Sequence, residues 1–383
     1  MRLLFVGTSP GLGGTETHFV TLAQALAESG DAVAAVVKHG SAMEHWLSGG
    51  TVRLEHGTFR NAADPRGLLA VGRAIRRHRP EWLVGSFSKE YWPLLLLGRA
   101  AGLPVALFKH MDFPMRPLSK RWVPRLADPF IVISDAMRRS FIGRGIPAGV
   151  LHVLPNPIDT RRFRATPVLR TRTRHELGFA DGDIVVGYLG RFSPEKGLYV
   201  LADALEQAMP RASALRALWL GAGPDEEALR ARLGASRFAA RHVTRPFTSD
   251  PVAAYAALDA LVVPSTIAES FGRVAAEAEA CGVPVVASRI GGIPEAVEEE
   301  RTALLVRPGD AGALAQALLR LAGDAGLRRR LGAAGPRLVQ ERFAAPVVAQ
   351  RFRELLRSRR TATSAPPRPI EVGEVEEEVA ATP

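Results

Sequence analysis

Apolar residues in this chain come in short continuous blocks. Runs at Leu3 to Val6, Ala32 to Val37, Trp82 to Ser86, Val105 to Phe108 and Phe130 to Ser134 end in turn residues, and helical patterns such as Leu68 to Arg77 lie between some of them. Blocks of this length predict strands buried on both faces, the pattern of a parallel sheet covered by helices. The opening shows the repeating unit: a strand, a glycine-rich turn from Gly11 to Gly14, and a helix from about Thr15 to Glu28.

Around Leu154 to Gly178 the pattern breaks into Pro, Arg and Thr, which reads as an interdomain segment. It restarts with "DIVVGYLGRFSPEKG", again strand and glycine-rich loop, and predicts strands near Leu215 to Leu220, Ala260 to Val263, Val283 to Ala287 and Ala303 to Val306. The expected organisation is an N-terminal domain over 1–165, a C-terminal domain over 176–345, a helix over 346–360 crossing back to the first domain, and a disordered tail over 361–383. The tail is Pro-rich and then acidic, with nothing to bury. Two such α/β domains form a cleft at the carboxyl ends of both sheets, where open α/β sheets bind ligands.

Composition narrows the class. With 383 residues, 47% of them hydrophobic, the chain has material for two cores. Its single cysteine, Cys281, excludes an intramolecular disulfide and a multi-cysteine zinc site and is compatible with a reducing compartment. No run approaches the roughly 18 apolar residues of a membrane span, and the N-terminus does not read as a signal peptide. The expected location is cytoplasmic, with peripheral attachment to the inner face of the membrane. Net charge is +11, and its distribution is lopsided: residues 1–175 carry 25 Lys+Arg against 12 Asp+Glu, a net of +13, while 176–383 carry 25 against 27, a net of −2. A one-sided field attracts an anionic membrane, an anionic substrate or nucleic acid. Basic clusters at Arg73 to Arg79, Arg116 to Arg125 and Arg138 to Arg144 are interleaved with Leu118, Trp122 and Phe141. No regular aromatic platform accompanies them, so nucleic acid is not the expected partner.

"PSTIAESFGRVAAEAEACGVPVVAS", followed by "IGGIPEAV" and read with "GYLGRFSPEKG" upstream, closely resembles the C-terminal half of the GT-B glycosyltransferases of family 4. The matching elements are Glu269-Ser-Phe-Gly with Glu277 eight positions on, Gly190-Arg191 with Lys196-Gly197, Gly282 to Val286, and Gly291-Gly292. Asn156 to Asp159 looks like the family's interdomain element, with Pro157 in place of a glycine, and "GLGGTE" resembles its donor-phosphate loop. The resemblance spans roughly residues 1 to 345. It implies an α/β, GT-B fold of two Rossmann-like β/α/β domains facing a central cleft, and retaining transfer of a sugar from a nucleotide-sugar donor to an acceptor hydroxyl.

The residues make physical sense of that chemistry. A helix beginning near Phe271 would offer unpaired amides at Phe271, Gly272 and Arg273 to a diphosphate. Eight residues at ~1.5 Å each span roughly 12 Å, comparable with the reach from a sugar across a diphosphate to a ribose. By resemblance Glu269 holds the sugar and Glu277 the ribose, with Ser270 beside them; a solvated helix face is the plain alternative for both acids. Arg191 and Lys196 stabilise charge on the leaving phosphate, and Arg can grip two oxygens where Lys is a point charge. The sequence holds no Asp-x-Asp and no convincing His/Asp ligand cluster, so no metal is expected, and no cofactor besides the nucleotide-sugar substrate.

Gly11-x-Gly13-Gly14 fails the dinucleotide pattern because Glu16 stands at the third glycine's place. As a diphosphate loop, Gly13 and Gly14 would let the backbone approach the donor; a plain tight turn is the alternative. His110 stands where the family often places a histidine near the transferred sugar, with Lys109 and Asp112 as secondary candidates. Arg245 and Pro246, in "HVTRPF", are expected near the donor base. The acceptor is expected to be a lipid-linked or cell-envelope saccharide. A soluble glycoside or sugar phosphate product, or a non-catalytic membrane- or nucleic-acid-binding protein on a degenerate fold, are the other readings.

Overall fold

The computed structural model describes residues 1–363 except Leu12 and Ser249. Thirteen strands are described: β1 (Arg2–Gly7), β2 (Ala32–Val37), β3 (Arg53–His56), β4 (Trp82–Gly85), β5 (Val105–Lys109), β6 (Phe130–Val132), β7 (Leu151–Val153), β8 (Ile184–Arg191), β9 (Leu215–Ala222), β10 (His242–Arg245), β11 (Ala260–Val263), β12 (Val285–Ser288) and β13 (Ala303–Val306). They form a seven-stranded sheet of order β3-β2-β1-β4-β5-β6-β7 and a six-stranded sheet of order β10-β9-β8-β11-β12-β13. Every pairing within the sheets is parallel.

Strand order reverses between β1 and β4 in the first sheet and between β8 and β11 in the second. The loops leaving those strands diverge at their carboxyl ends and leave a crevice between them. Both glycine-rich stretches follow a strand at such a point, β1 and β8. The central strands are buried on both faces, as β1 shows from Leu3 to Val6. Helices cover the sheets, and one contiguous core runs from the first sheet through Ile158 and Phe163 into the second.

The final helix, Ala345–Thr363, returns to the first sheet, where Val348, Ala349, Phe352 and Leu356 are buried with Leu3, Phe5 and Phe19. Phe352 meets the ring of Phe108 at 5.4 Å. The helix runs to Thr363, three residues into the tail expected to be disordered from 361, and the rest of that tail lies outside the described residues.

Several expectations shift. β3, β7 and β10 were not expected as strands; β3 and β10 carry half-polar edges with no fully buried residue. β6 stops at Val132 because Ser134 caps the next helix, accepting a hydrogen bond from Met137 N. The strand expected from Val283 begins at Val285. The interdomain stretch contains a ten-residue helix, Pro167–Glu176, whose Arg170 and Arg174 grip Asp259 at 2.8 and 3.1 Å.

Two buried carboxyls give the fold a pH signature. Burial pushes Glu279 up to about 8 and Glu90 up to about 7, the latter against hydrogen bonds from Thr8. Each is harder to ionise folded than unfolded, so the stability it contributes is whole below the ordinary value of 4.5 and is lost as pH rises through the folded value. The urea stability of wild type relative to Glu279→Gln should fall between about pH 5 and about pH 9, by at most about 1.4 kcal/mol per pH unit. A difference that does not change with pH would show Glu279 titrating normally.

Candidate active site

The loops after β8 and β11 interlock. Gly197 has φ +75, and a Cβ there would lie 1.9 Å from the Pro264 carbonyl oxygen, so only glycine lets the first loop settle on the second. Thr266 N and its hydroxyl both donate to Glu195 O, at 3.0 and 3.1 Å. This contact carries Lys196 to Glu269: Nζ lies 2.7 Å from Oε1, which also accepts from Ser265 Oγ at 2.6 Å. Glu269 is fixed from behind as well, its carbonyl accepting from Gly292 N at 2.7 Å. Arg191, the last residue of β8, stands exposed at the lip.

The helix after Glu269 starts at Arg273, two residues later than the sequence suggests, because Gly272 has φ +94 and ends the loop in the left-handed region. A Cβ on Gly272 would come within 3.3 Å of Ile293 Cα. The glycine is therefore needed for the turn and for packing on Ile293, and the helix-end amides belong to Arg273 and Val274. Glu277 sits one turn in and is buried. Its Oε1 accepts from Arg273 Nε at 2.7 Å and its Oε2 from the Tyr255 hydroxyl at 3.0 Å. Arg273 is thereby pinned by one nitrogen, while its Nη1 and Nη2 are buried without a hydrogen-bond partner.

The opposite wall comes from the first domain. His110 follows β5 and is buried, its ring stacked on Phe108 at 5.8 Å and edge-on to His18 at 4.5 Å. Neither of its ring nitrogens has a partner. Burial, and then the neighbouring His18, Arg273 and Lys109, hold its pKa well below the ordinary value, so it is a neutral imidazole. His18 is held down to about 3 by burial; its Nδ1 lies 2.9 Å from Asn156 Oδ1, which fixes Nδ1 as the protonated nitrogen. Asp112 N donates to Ser270 Oγ at 3.2 Å across the cleft, and Asp112 is paired with Arg144 at 2.9 Å.

Between these walls lies a cleft of about 560 Å³. It brings together His110, Arg191, Lys196, Glu269, Ser270, Phe271, Gly272, Arg273 and Gly14. Glu277 stands behind Arg273, Gly13 caps the helix that starts at Gly14, and Arg245 and Pro246 are exposed at the end of the edge strand β10, so none of these four is among the residues lining this cleft. His18 was missed because, in "GTETHFV", it reads as one more helix position; Asn156, 138 residues away, holds it. Cys281 is buried, its thiol pushed up to about 12 by burial.

Outside the cleft, one group among the described residues, His39, Glu44 and His56, gathers ligand-type atoms within 4.8 Å of one another, although no His/Asp ligand cluster is expected from the sequence. Among the described residues no helix is long and apolar enough to cross a membrane.

Residues 12–162 match the family described as Glycosyltransferase Family 4, and residues 183–324 the family described as Glycosyl transferases group 1. The chain is 32% identical over 292 residues to the GDP-mannose-dependent alpha-(1-6)-phosphatidylinositol monomannoside mannosyltransferase of Mycolicibacterium smegmatis, covering 71% of this chain and 76% of that protein. It is 34% identical over 292 residues to the D-inositol 3-phosphate glycosyltransferase of Actinosynnema mirum, covering 68% and 69%. Its fold superposes on Anabaena Alr3699/HepE in complex with UDP and glucose with a TM-score of 0.80 at 25% identity, covering 94% of this chain and 100% of that one. A glycosyltransferase from Rickettsia africae superposes with a TM-score of 0.83 at 17% identity, covering 93% and 98%. With these likenesses laid over its paired sheets and the cleft between them, the chain belongs to glycosyltransferase family 4, the glycosyl transferases group 1 type, on the GT-B fold.

Proposed function

We propose that this glycosyltransferase moves a hexosyl group, with retention and without a metal, from a nucleoside diphosphate sugar to a hydroxyl of an inositol-containing glycolipid acceptor. The observation that carries the reading is the Lys196–Glu269 pair at 2.7 Å, set beside Arg191 in a cleft whose far wall is the neutral His110. Lys196 and Arg191 supply the positive charge that a departing diphosphate needs. Glu269, once Lys196 turns to phosphate, is free to accept from the sugar's hydroxyls, and Ser270 and the amides at Arg273 lie next to it. Arg273, pinned by Glu277, presents two unpaired nitrogens to the same anion.

In this scheme the bond from the anomeric carbon to the phosphate oxygen breaks while the acceptor oxygen bonds that carbon on the same face. The acceptor's proton passes to the phosphate oxygen, so no side-chain nucleophile is required. His110, uncharged, offers the sugar a hydrogen bond without competing for the phosphate. Glu277 would reach the ribose by exchanging one of its present partners. The relatives that use GDP-mannose and inositol phosphates make GDP-mannose and a phosphoinositide the first substrates to try, while the structural neighbour with UDP bound keeps UDP-sugars in the screen. The D-inositol 3-phosphate relatives favour one alternative, a soluble inositol phosphate acceptor.

The lipid acceptor is supported by an exposed face of the first domain. The helix Pro117–Leu126 turns Leu118, Trp122 and Leu126 outward, one stripe at i, i+4 and i+8, with Arg116, Arg121 and Arg125 also exposed. Val123 and Pro124 face the protein, so the apolar stripe points to solvent. Exposed Met111 and Phe113 line the cleft itself. A stripe of this kind among arginines suits the inner face of an anionic membrane, where each basic residue contributes about 1 kcal/mol.

Three measurements test this. In EDTA, one nucleotide class should raise the melting temperature, since a ligand at about 100 times its dissociation constant adds roughly 2.7 kcal/mol; no shift with any UDP-, GDP-, ADP- or dTDP-sugar would remove the donor site. Glu269→Gln should still bind nucleotide but lose transfer by about 100-fold or more, the loss of one preorganised contact, and full transfer by that variant would count against its role. Finally, the protein should sediment with vesicles of phosphatidylglycerol and not of phosphatidylcholine alone, and Leu118→Asp with Trp122→Asp should abolish this while leaving the nucleotide shift intact. Activity on inositol phosphate that is unchanged by vesicles would favour the soluble alternative.

A further inference from the structure

On the same rim of the first sheet, away from the cleft, three elements converge on one small volume. β2 ends at Val37, which pairs in register with His56 at the end of β3. Two residues beyond β2 stands His39, and the turn that follows, with Gly40 at φ +71, leads into the helix Ala42–Leu47, which carries Glu44. The carboxylate is aimed: Gly40 N donates to its Oε2 at 2.5 Å. That leaves Oε1 facing His56 Nε2 at 2.6 Å and His39 Nδ1 at 3.2 Å. The two rings stand nearly perpendicular, their centroids 5.0 Å apart.

We propose that His39, Glu44 and His56 form a binding site for a divalent transition-metal ion of the zinc class, separate from the transfer chemistry. Zinc takes imidazole nitrogen and carboxylate oxygen at about 2.0–2.2 Å, which in a tetrahedron puts ligand atoms roughly 3.4 Å apart. All three ligand atoms here already lie within 4.8 Å of one another, and the closest pair, at 2.6 Å, has to open by about 0.8 Å. The exposed ring of His39 is free to turn. Two nitrogens in a set of three favour zinc, nickel or copper over magnesium or calcium, which prefer an all-oxygen shell. The Gly40 amide acts as an outer-shell partner that holds the carboxylate in place. A fourth position is open to water on the solvent side. The ion would tie the exposed edge strand β3 to the turn after β2. None of the three residues lines the donor cleft, so the site is a structural clip on the first domain rather than a part of catalysis.

The test uses untagged, chelator-stripped protein titrated by calorimetry with zinc chloride and, separately, magnesium chloride. One zinc per chain should bind and magnesium should not. His56→Ala and Glu44→Gln should each weaken zinc binding by about tenfold or more, whereas His45→Ala, an exposed histidine beside the site, should leave it unchanged. Melting temperature without metal checks that each variant is folded. Zinc should raise the melting temperature of wild type but not of Glu44→Gln, and Glu44→Gln should keep its nucleotide shift in EDTA. No zinc binding to folded wild type would overturn the proposal, as would equal binding by His56→Ala or an equal loss in His45→Ala. Because the nucleotide shift is read separately, failure of the metal site and failure of the donor site are distinguishable.

Discussion

The loop after β8 can lie on the loop after β11 only because Gly197 has no side chain. Its Cα comes so close to the Pro264 carbonyl that any Cβ would overlap the oxygen, and the positive φ excludes other residues independently. Most of the donor side follows from that contact. Lys196 precedes Gly197 and is thereby placed on Glu269, while Thr266 clasps Glu195 from the other direction. Arg191, at the start of the same loop, faces the lip. A cation and an acid from strands that are adjacent in the sheet but some seventy residues apart in the chain meet without long side-chain reach.

Two of the cations of the cleft, Lys196 and Arg273, are partly satisfied before any anion arrives. Lys196 is paired with Glu269, and Arg273 gives one nitrogen to Glu277, which Tyr255 steadies on its other oxygen. Leaving a buried charge without compensation is expensive, and pairing it this way lowers the cost while keeping its position. The two pairs differ in what remains. Glu269 shares one oxygen with Lys196, whereas Arg273 is held at Nε and has two buried nitrogens without a hydrogen-bond partner. An anion at Arg273 would therefore displace no partner, and one at Lys196 would. An incoming diphosphate would exchange one ion pair for another on the Lys196 side, which releases the Glu269 carboxylate when the donor is in place.

The alternation of apolar blocks and helices was enough to read two parallel sheets, because strands buried on both faces, such as Leu3 to Val6 and Ala260 to Val263, have no polar positions to blur the pattern. The half-polar edge strand Arg53–His56 carried no such signal. Lys196 and Glu269 were singled out through the resemblance of their strand-end loops to the family's motifs, and the structure brings the two together. The start of the helix after them was not, because nothing in "SFGRV" says that Gly272 is left-handed. His18 and the His39, Glu44 and His56 group were invisible for another reason. Their partners are fixed by strand order and register, which local spacing does not encode. Glu277 was singled out, but its burial behind Arg273 depends on Tyr255, a residue of a different helix.

Polar contacts join the two domains near the cleft and beside it. Glu295, from the second domain, accepts from Asp135 N and Ala136 N with its two carboxylate oxygens, at 2.7 and 2.6 Å, capping a helix of the first domain with negative charge where the helix dipole favours it. Ser270 meets Asp112 from the same side. Ser270 adjoins Glu269 in the chain, and Asp112 is two residues beyond His110. A donor that displaces Lys196 from Glu269 thus acts on a loop already joined to the opposite wall. Under the proposed roles, domain position and donor occupancy would be coupled through that loop, because the hydrogen bond from Asp112 N to Ser270 Oγ joins the loop of Glu269 to the wall that carries His110.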